Sequence, residues 1–450
     1  MKPVIALIGR PNVGKSTLFN RLTRSRTAIV EDIPGVTRDV LYGVGRIGDR
    51  DYMVVDTGGI EIEENRDAFK RLIRKQVEQV VEDCDALVLV TDGRAGVTHE
   101  DREIVESLRS SDKAVWLAVN KSEGVDEAII SAEFHQLGLP NIVAISALHG
   151  DGTRRMCDQI LAGFPQVDTD IDDAATGIRI SVIGRPNVGK STLINTLLGE
   201  ERVVVFDQPG TTRDSVHVPF VRDNENYVLI DTACLRRKSR IKERLERFSV
   251  IRTVQSLEAS HVTILVLDAK SGVTDQDATI AGLVLNSGNS VIIAVNKWDG
   301  LARHQRTQVK RDLERKLGFL FHEEALFISA LHGSGLGELW QAVQDAYQAA
   351  MVSVGTGALN RALADAVEAQ APPLVGHRRI KLKYIHQGGK NPPRFILHGN
   401  QTGKLPANYR RYLSNYFRRR FQLFGTQVVL EFKQAENPYE GRVQKRGRRR

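Results

Sequence analysis

The residues best suited to chemistry form a nine-residue run, Gly9-Arg10-Pro11-Asn12-Val13-Gly14-Lys15-Ser16-Thr17, which recurs unchanged from Gly184 to Thr192. Gly-x-x-x-x-Gly-Lys-Ser between a strand and a helix is a phosphate loop. Gly9 and Gly14, like Gly184 and Gly189, let backbone N–H groups turn inward around phosphates. Lys15 and Lys190 reach the β- and γ-phosphates, and the hydroxyls of Ser16 and Ser191 meet magnesium. Asn12, Thr17, Asn187 and Thr192 complete the two loops. The positive end of the helix that follows favours the same anion. A glycine turn without a ligand is the plainer reading of one copy; two intact copies in the same context favour phosphate binding.

Phosphate loops serve adenine and guanine nucleotides alike, so base identity needs a second motif. Asn296-Lys297-Trp298-Asp299 follows an apolar run in the second copy. Its aspartate can accept from both the ring N–H and the exocyclic amine of guanine, a donor pair that adenine lacks. The Ser329-Ala330 turn is expected to supply a backbone N–H to the guanine oxygen, and Ser146-Ala147 is its counterpart in the first copy. There the reader is Asn120-Lys121-Ser122-Glu123, with glutamate in place of aspartate. One added methylene pushes the carboxylate outward by about a bond length. Losing one charge-assisted bond costs about 1.5–3 kcal/mol. Two outcomes stand open: weaker guanine selection at the first site, or a loop that accommodates the longer side chain.

These motifs need elements to hold them, and an internal repeat supplies those elements twice. The phosphate loops are 175 residues apart, as are Pro34-Gly35-Val36-Thr37-Arg38-Asp39 and Pro209-Gly210-Thr211-Thr212-Arg213-Asp214. Asp56-Thr57-Gly58-Gly59 and Asp231-Thr232-Ala233-Cys234 keep that offset, whereas the base readers lie 176 apart and the Ser-Ala turns 183. Insertions thus accumulate late in each unit, in its loops. Apolar runs 179–183, 227–230, 262–267 and 291–295 read as buried strands, and the stretches between them as crossover helices. The expected fold is α/β: two tandem domains with doubly wound, mostly parallel sheets (1–163 and 178–352), joined by an acidic linker (164–177). Residues 353–440 change rhythm to α-β-β-α-β, a small mixed-sheet domain, ahead of a basic tail at 441–450.

Residues 351–450 carry 20 Lys/Arg against 5 Asp/Glu, while the first 350 carry 43 against 50. The basic excess is therefore all C-terminal and points to a polyanionic partner. Arg410, Arg411, Arg418, Arg419 and Arg420 stud the last helix, and six of the final ten residues are basic. A solvated face is the plain alternative; contact with RNA phosphates is the favoured one. Tyr409, Tyr416, Phe417, Phe421 and Phe424 have the helical spacing of a core rather than of a base-stacking surface. Arg236, Arg237, Lys238 and Arg240 form a second basic patch. Cys84, Cys157 and Cys234 show no metal-ligand or disulfide spacing, which suits a reducing compartment. No apolar run approaches the ~18 residues of a membrane span. A cytoplasmic monomer is expected, with no membrane partner.

The order of parts resembles the translation-factor-related GTPases, and the tandem pair with a small third domain resembles the bacterial Der/EngA family over roughly residues 1–440. That resemblance implies a GTP-hydrolysing switch that acts with the large ribosomal subunit and its RNA, with a KH-like third domain. It implies GTP and GDP as substrate and product, with slow intrinsic turnover. Lys15, Thr37, Lys190 and Thr212 would be the catalytic groups. Ser16, Thr37 and Asp56, and likewise Ser191, Thr212 and Asp231, would surround magnesium, with Gly59 near the γ-phosphate. Ile60 and Leu235 stand where a water-positioning glutamine is absent; by resemblance, potassium held by Asn12 and Asn187 would supply the missing charge. Cys234 replaces a switch glycine, and a positive φ there would strain it by ~1–3 kcal/mol. The GxxG loop of RNA-clamping KH domains is missing, since Gly399–Gly403 has one residue too many. The competing function is a signalling GTPase drawn to anionic membranes by its basic end.

Overall fold

A computed structural model describes residues 2–23, 29–31, 40–48, 50–58, 84–109, 111, 113–124, 126–164, 177–200, 203–205, 217–230, 250–318, 320, 325–375 and 378–434. Thr37, Gly59, Ile60, Thr212, Asp231, Cys234 and Leu235, the basic run 236–240, linker residues 165–176 and the tail 441–450 lie outside these. The chain divides into two compact units, one made chiefly of residues 1–175 and the other of most of the remainder.

In the first unit, strand Val4–Ile8 lies between the parallel strands Tyr52–Asp56 and Ala86–Asp92. Ala114–Asn120 and Asn141–Ala144 extend the parallel set. Every residue of Val4–Ile8 is buried, as an unbroken apolar run in mid-sheet requires. Val40–Gly45 and Ile29–Glu31 add an antiparallel edge.

The second unit repeats this plan around Ile178–Ile183, flanked by Glu225–Ile230 and Val262–Asp268, with Ser290–Asn296 and Leu326–Phe327 beyond. The four strands expected here appear with ends shifted by at most two residues. Its antiparallel strand Val218–Arg222 turns into Glu225–Ile230 through Asp223-Asn224, at φ 49° and 65°. Two successive left-handed residues make the tight turn whose twist matches a hairpin, and Asp and Asn tolerate it best.

In both sheets the carboxyl ends of the parallel strands gather the motifs. The phosphate loop leaves the middle strand, where the chain order reverses, and Asp56, Asp92 and Asn120 close the neighbouring strands. Ligands of open α/β sheets bind at this crevice.

The C-terminal region has the expected α-β-β-α-β order: helix Thr356–Ala369, strands Lys381–Gly389 and Arg394–Asn400, helix Ala407–Arg420, strand Val429–Gln434. The sheet is mixed, antiparallel then parallel. Leu359, Leu363, Ile385, Phe395, Leu397, Leu413 and Phe417 form its core, so the helix aromatics pack inward. This domain is joined to the second phosphate-loop domain by backbone: Val291 N–H donates to Gly425 O at 2.7 Å and Asn391 N–H to Ala350 O at 3.0 Å. Gly425 sits at φ 59°, and a Cβ there would lie 3.0 Å from Ala346 Cβ, so a side chain would be strained and would press on the junction.

The five arginines of the last helix do not act alike. Arg410 donates to Leu405 O and Gly403 O at 3.0 and 3.1 Å, and its guanidinium lies 4.9 Å from the Phe432 ring centre. Burial lowers the Arg418 guanidinium to about 10. Both arginines line a cavity of about 500 Å³ beside Leu285, Val291 and Phe424. Arg411, Arg419 and Arg420 are exposed. Arg410 and Arg418 are half-buried.

Candidate nucleotide-binding sites

Each phosphate loop is clamped from behind by an asparagine. Asn120 is 3% exposed; its Nδ2 donates to Val13 O at 2.7 Å, and its Oδ1 accepts from Ala147 N–H at 2.9 Å. Asn296 makes the same pair, to Val188 O and from Ala330 N–H, both at 2.9 Å. The side chain thus links the phosphate loop to the Ser-Ala turn and leaves one amide hydrogen over. This bears on Gly14 and Gly189, at φ 98° and 101°: a Cβ on either would come within 2.3 Å of that asparagine nitrogen. The Ala330 N–H of the turn thus donates to the Asn296 side chain, so a base oxygen at this turn would share that donor or meet another one.

The loop's arginine serves the scaffold too. Arg185 Nε donates to Asp277 Oδ1 at 2.7 Å, and Asp277 is fully buried. Asp277 also forms a capping box with Thr274 at the start of helix Asp275–Ser287. In the first unit Arg10 Nε lies 3.4 Å from buried Asp101, which caps helix His99–Leu108 with Thr98.

At the phosphate end, Lys15 is buried, and its Nζ donates to Gly9 O and Arg10 O at 2.9 and 2.8 Å. Burial lowers it to about 8, against a smaller raising effect from Asp56. Lys190 Nζ donates to Arg185 O at 2.7 Å. Ser16 Oγ donates to Asp56 Oδ2 at 2.8 Å, and Gly58 N–H to Asp56 Oδ1 at 3.1 Å. Burial raises Asp56 despite these donors. Thr57 Oγ1 donates to Leu7 O at 2.9 Å and so pins this segment to the middle strand. Ser191 is half-buried, and Thr17 and Thr192 lie exposed on the first helical turn.

At the base end, Lys121 Nζ donates to Asp92 Oδ2 at 2.6 Å and to Asn12 O at 3.2 Å. Lys297 repeats this with Asp268 at 2.6 Å and Asn187 O at 2.8 Å. Both lysines are left-handed at φ 65° and 64°, as are Asn12 and Asn187 at 64° and 65°. The two aspartates were missed in the sequence, although Asp92 and Asp268 both close an apolar run and lie 176 residues apart, like the readers. Leu148 and Leu331 were missed as well. They follow the Ser-Ala turns and are 65% and 75% exposed, apolar side chains that the flat face of a base would cover.

The readers themselves diverge. The Ser329 hydroxyl, then its own backbone N–H, holds Asp299 below the usual carboxylate range; for Glu123 the order is its own N–H, then the Ser146 hydroxyl. However, Arg94 Nη2 donates to Glu123 Oε1 at 2.7 Å, whereas Asp299 has His332 Nε2 at 3.5 Å. A guanidinium on one oxygen leaves less for a base that needs both. With the second site disabled by Lys190→Ala, Glu123→Asp should tighten GTP about tenfold or more and widen its preference over inosine triphosphate, which lacks the exocyclic amine. Calorimetric titration would show this; unchanged GTP affinity would refute it.

Comparison with known proteins agrees with this layout. A family model described as "50S ribosome-binding GTPase" matches residues 4–121 and again 179–297. "KH-domain-like of EngA bacterial GTPase enzymes, C-terminal" matches 353–433, and the "Elongation factor Tu GTP binding domain" model matches 247–349. Among similar curated proteins, "GTPase Der" of Thioalkalivibrio sulfidiphilus is 51% identical over 98% of this chain and 95% of its own. "GTPase Der" of Burkholderia cenocepacia is 51% identical over 98% of this chain and 99% of its own. Two phosphate loops with guanine-reader motifs and a KH-like end, matched across nearly the whole length, place this chain in the Der (EngA) family of GTP-hydrolysing proteins.

Proposed function

We propose that this GTPase works in assembly of the large ribosomal subunit, binding it through RNA when nucleotide sets the chain in the competent state. The observation that carries the reading is the union of the KH-like domain with the second GTPase domain. The Gly425–Val291 bond joins the two through the strand that ends in Asn296, at the base reader. The matched family's description and the exposed Arg411, Arg419 and Arg420 support the same partner. The protein is proposed to be a cytoplasmic monomer; among the described residues no helix is long and apolar enough to cross a membrane.

For hydrolysis, Lys15 and Lys190 hold the β- and γ-phosphates while the loop N–H groups cradle them. A buried Asp56 with a raised proton affinity, facing the Ser16 hydroxyl, suits a dication. Ser16 and Asp56, with Thr37, are the residues to hold magnesium; Ser191, Thr212 and Asp231 are their counterparts. Magnesium neutralises charge that builds on the phosphate oxygens when bound. The apolar Ile60 and Leu235 leave the attacking water without a glutamine, so intrinsic turnover is slow. Asn12 and Asn187, left-handed and exposed on the loops, are the candidate potassium ligands. Hydrolysis should run faster in potassium than in sodium buffer; equal rates would remove the ion from the scheme.

The partner is tested by co-sedimentation with purified ribosomal subunits and with anionic liposomes, under GTP and under GDP. The expected result is nucleotide-dependent pelleting with large subunits, weakened in an Arg411/Arg419/Arg420→Ala variant. Pelleting with liposomes alone would replace this reading with the membrane one.

A further inference from the structure

The sheet of the KH-like domain has a second face, turned away from its core, whose described side chains are half-buried or exposed. Ile385, Phe395 and Leu397 point into the core, so residues alternate with them outward. Strand register places Tyr384 opposite His398 and His398 opposite Lys433, one row across all three strands. His386 lies two residues along from Tyr384 and joins the row. The three rings lean on one another, with centres 5.5 Å apart for Tyr384–His386, 5.8 Å for Tyr384–His398 and 5.2 Å for His386–His398. The two imidazoles lie within 22° of parallel. Tyr384 is 44% exposed, and Lys381, Lys383 and Lys433 are exposed around the cluster.

Cross-strand ring pairs also stabilise sheets, so stacking alone would be a packing device. Two further features point outward. Tyr384 is 44% exposed despite its size, and exposed Lys433 stands opposite His398 in the register while exposed Lys381 and Lys383 lie just before Tyr384 on its strand. Flat π-surface plus neighbouring positive charge matches the chemistry of an unpaired nucleobase on a polyanionic strand. A duplex hides its base faces, and the carboxylates of an acidic peptide carry no ring to stack.

We propose that Tyr384, His386 and His398 form a stacking surface for unpaired bases of RNA, with Lys381, Lys383 and Lys433 on the flanking phosphates. This rests on the RNA reading above, and it adds a surface separate from the arginines of the last helix. Because every base has a π-face, the surface is tolerant of sequence, which agrees with the missing GxxG loop.

The test uses the full chain and fluorescence anisotropy with a labelled ten-nucleotide single-stranded RNA and a labelled RNA duplex, each at several salt concentrations. Tyr384→Ala with His398→Ala should weaken single-strand binding at least about fivefold, leave the duplex nearly unchanged and keep the salt slope. Tyr384→Phe should bind like the parent, and GTP turnover in all variants reports folding. Photocrosslinking of bromouridine-substituted RNA should label the peptide that holds Tyr384. Parent-like single-strand affinity in the double variant, with crosslinks elsewhere, would overturn the stacking surface while leaving the RNA reading standing. Failure of the unaltered chain to bind either RNA would overturn both. Loss of subunit binding with intact oligonucleotide binding would assign the face to protein and overturn the proposal.

Discussion

The interaction on which both sites depend is a buried side-chain amide. Asn120 and Asn296 reach from the end of one strand to the phosphate loop that leaves another, and accept from the turn that follows a third. Three loops from three parallel strands are thereby set at one spacing. Removing the amide would orphan a buried carbonyl and a buried N–H, each worth about 1–3 kcal/mol. It also dictates glycine at 14 and 189, because the space a Cβ needs is occupied by the amide nitrogen. The phosphate grip and the base grip are consequently one construction.

Around that strut the two copies agree in the bond that holds the base-side lysine and in their left-handed turns. The lysine-to-aspartate bonds measure 2.6 Å in both, and the left-handed asparagines and lysines agree within a degree. They part at solvent-facing side chains. Glu123 with Arg94 stands against Asp299 with His332, and the second copy is joined by backbone to the KH-like domain. A site joined to the KH-like domain and a site with a modified base reader are suited to unequal duties.

Much of this was legible in the sequence because it depends on local pattern. Apolar runs marked the strands, and Gly-Lys-Ser marked the loop. What escaped notice was long-range pairing. Arg10 and Arg185 sit inside the motif, and their partners Asp101 and Asp277 lie more than 90 residues away. The Ala330 N–H is engaged by an asparagine 34 residues upstream, which spacing cannot reveal. The helix arginines share a sequence pattern but divide by geometry, since Arg410 turns back on its own N-terminal loop. Open sheet faces escape notice for another reason: a bulge between Leu382 and Tyr384 breaks the alternation from which the outward row would be read.

The strut is tested most directly at Asn296, with the first site disabled by Lys15→Ala. Affinities of Asn296→Ala for GDP and for 7-deaza-GDP, which lacks the ring acceptor an asparagine could read, separate positioning from base contact. If the amide chiefly shapes the loops, both nucleotides weaken together by about tenfold or more. Unchanged GDP affinity, or a loss confined to GDP, would contradict the account.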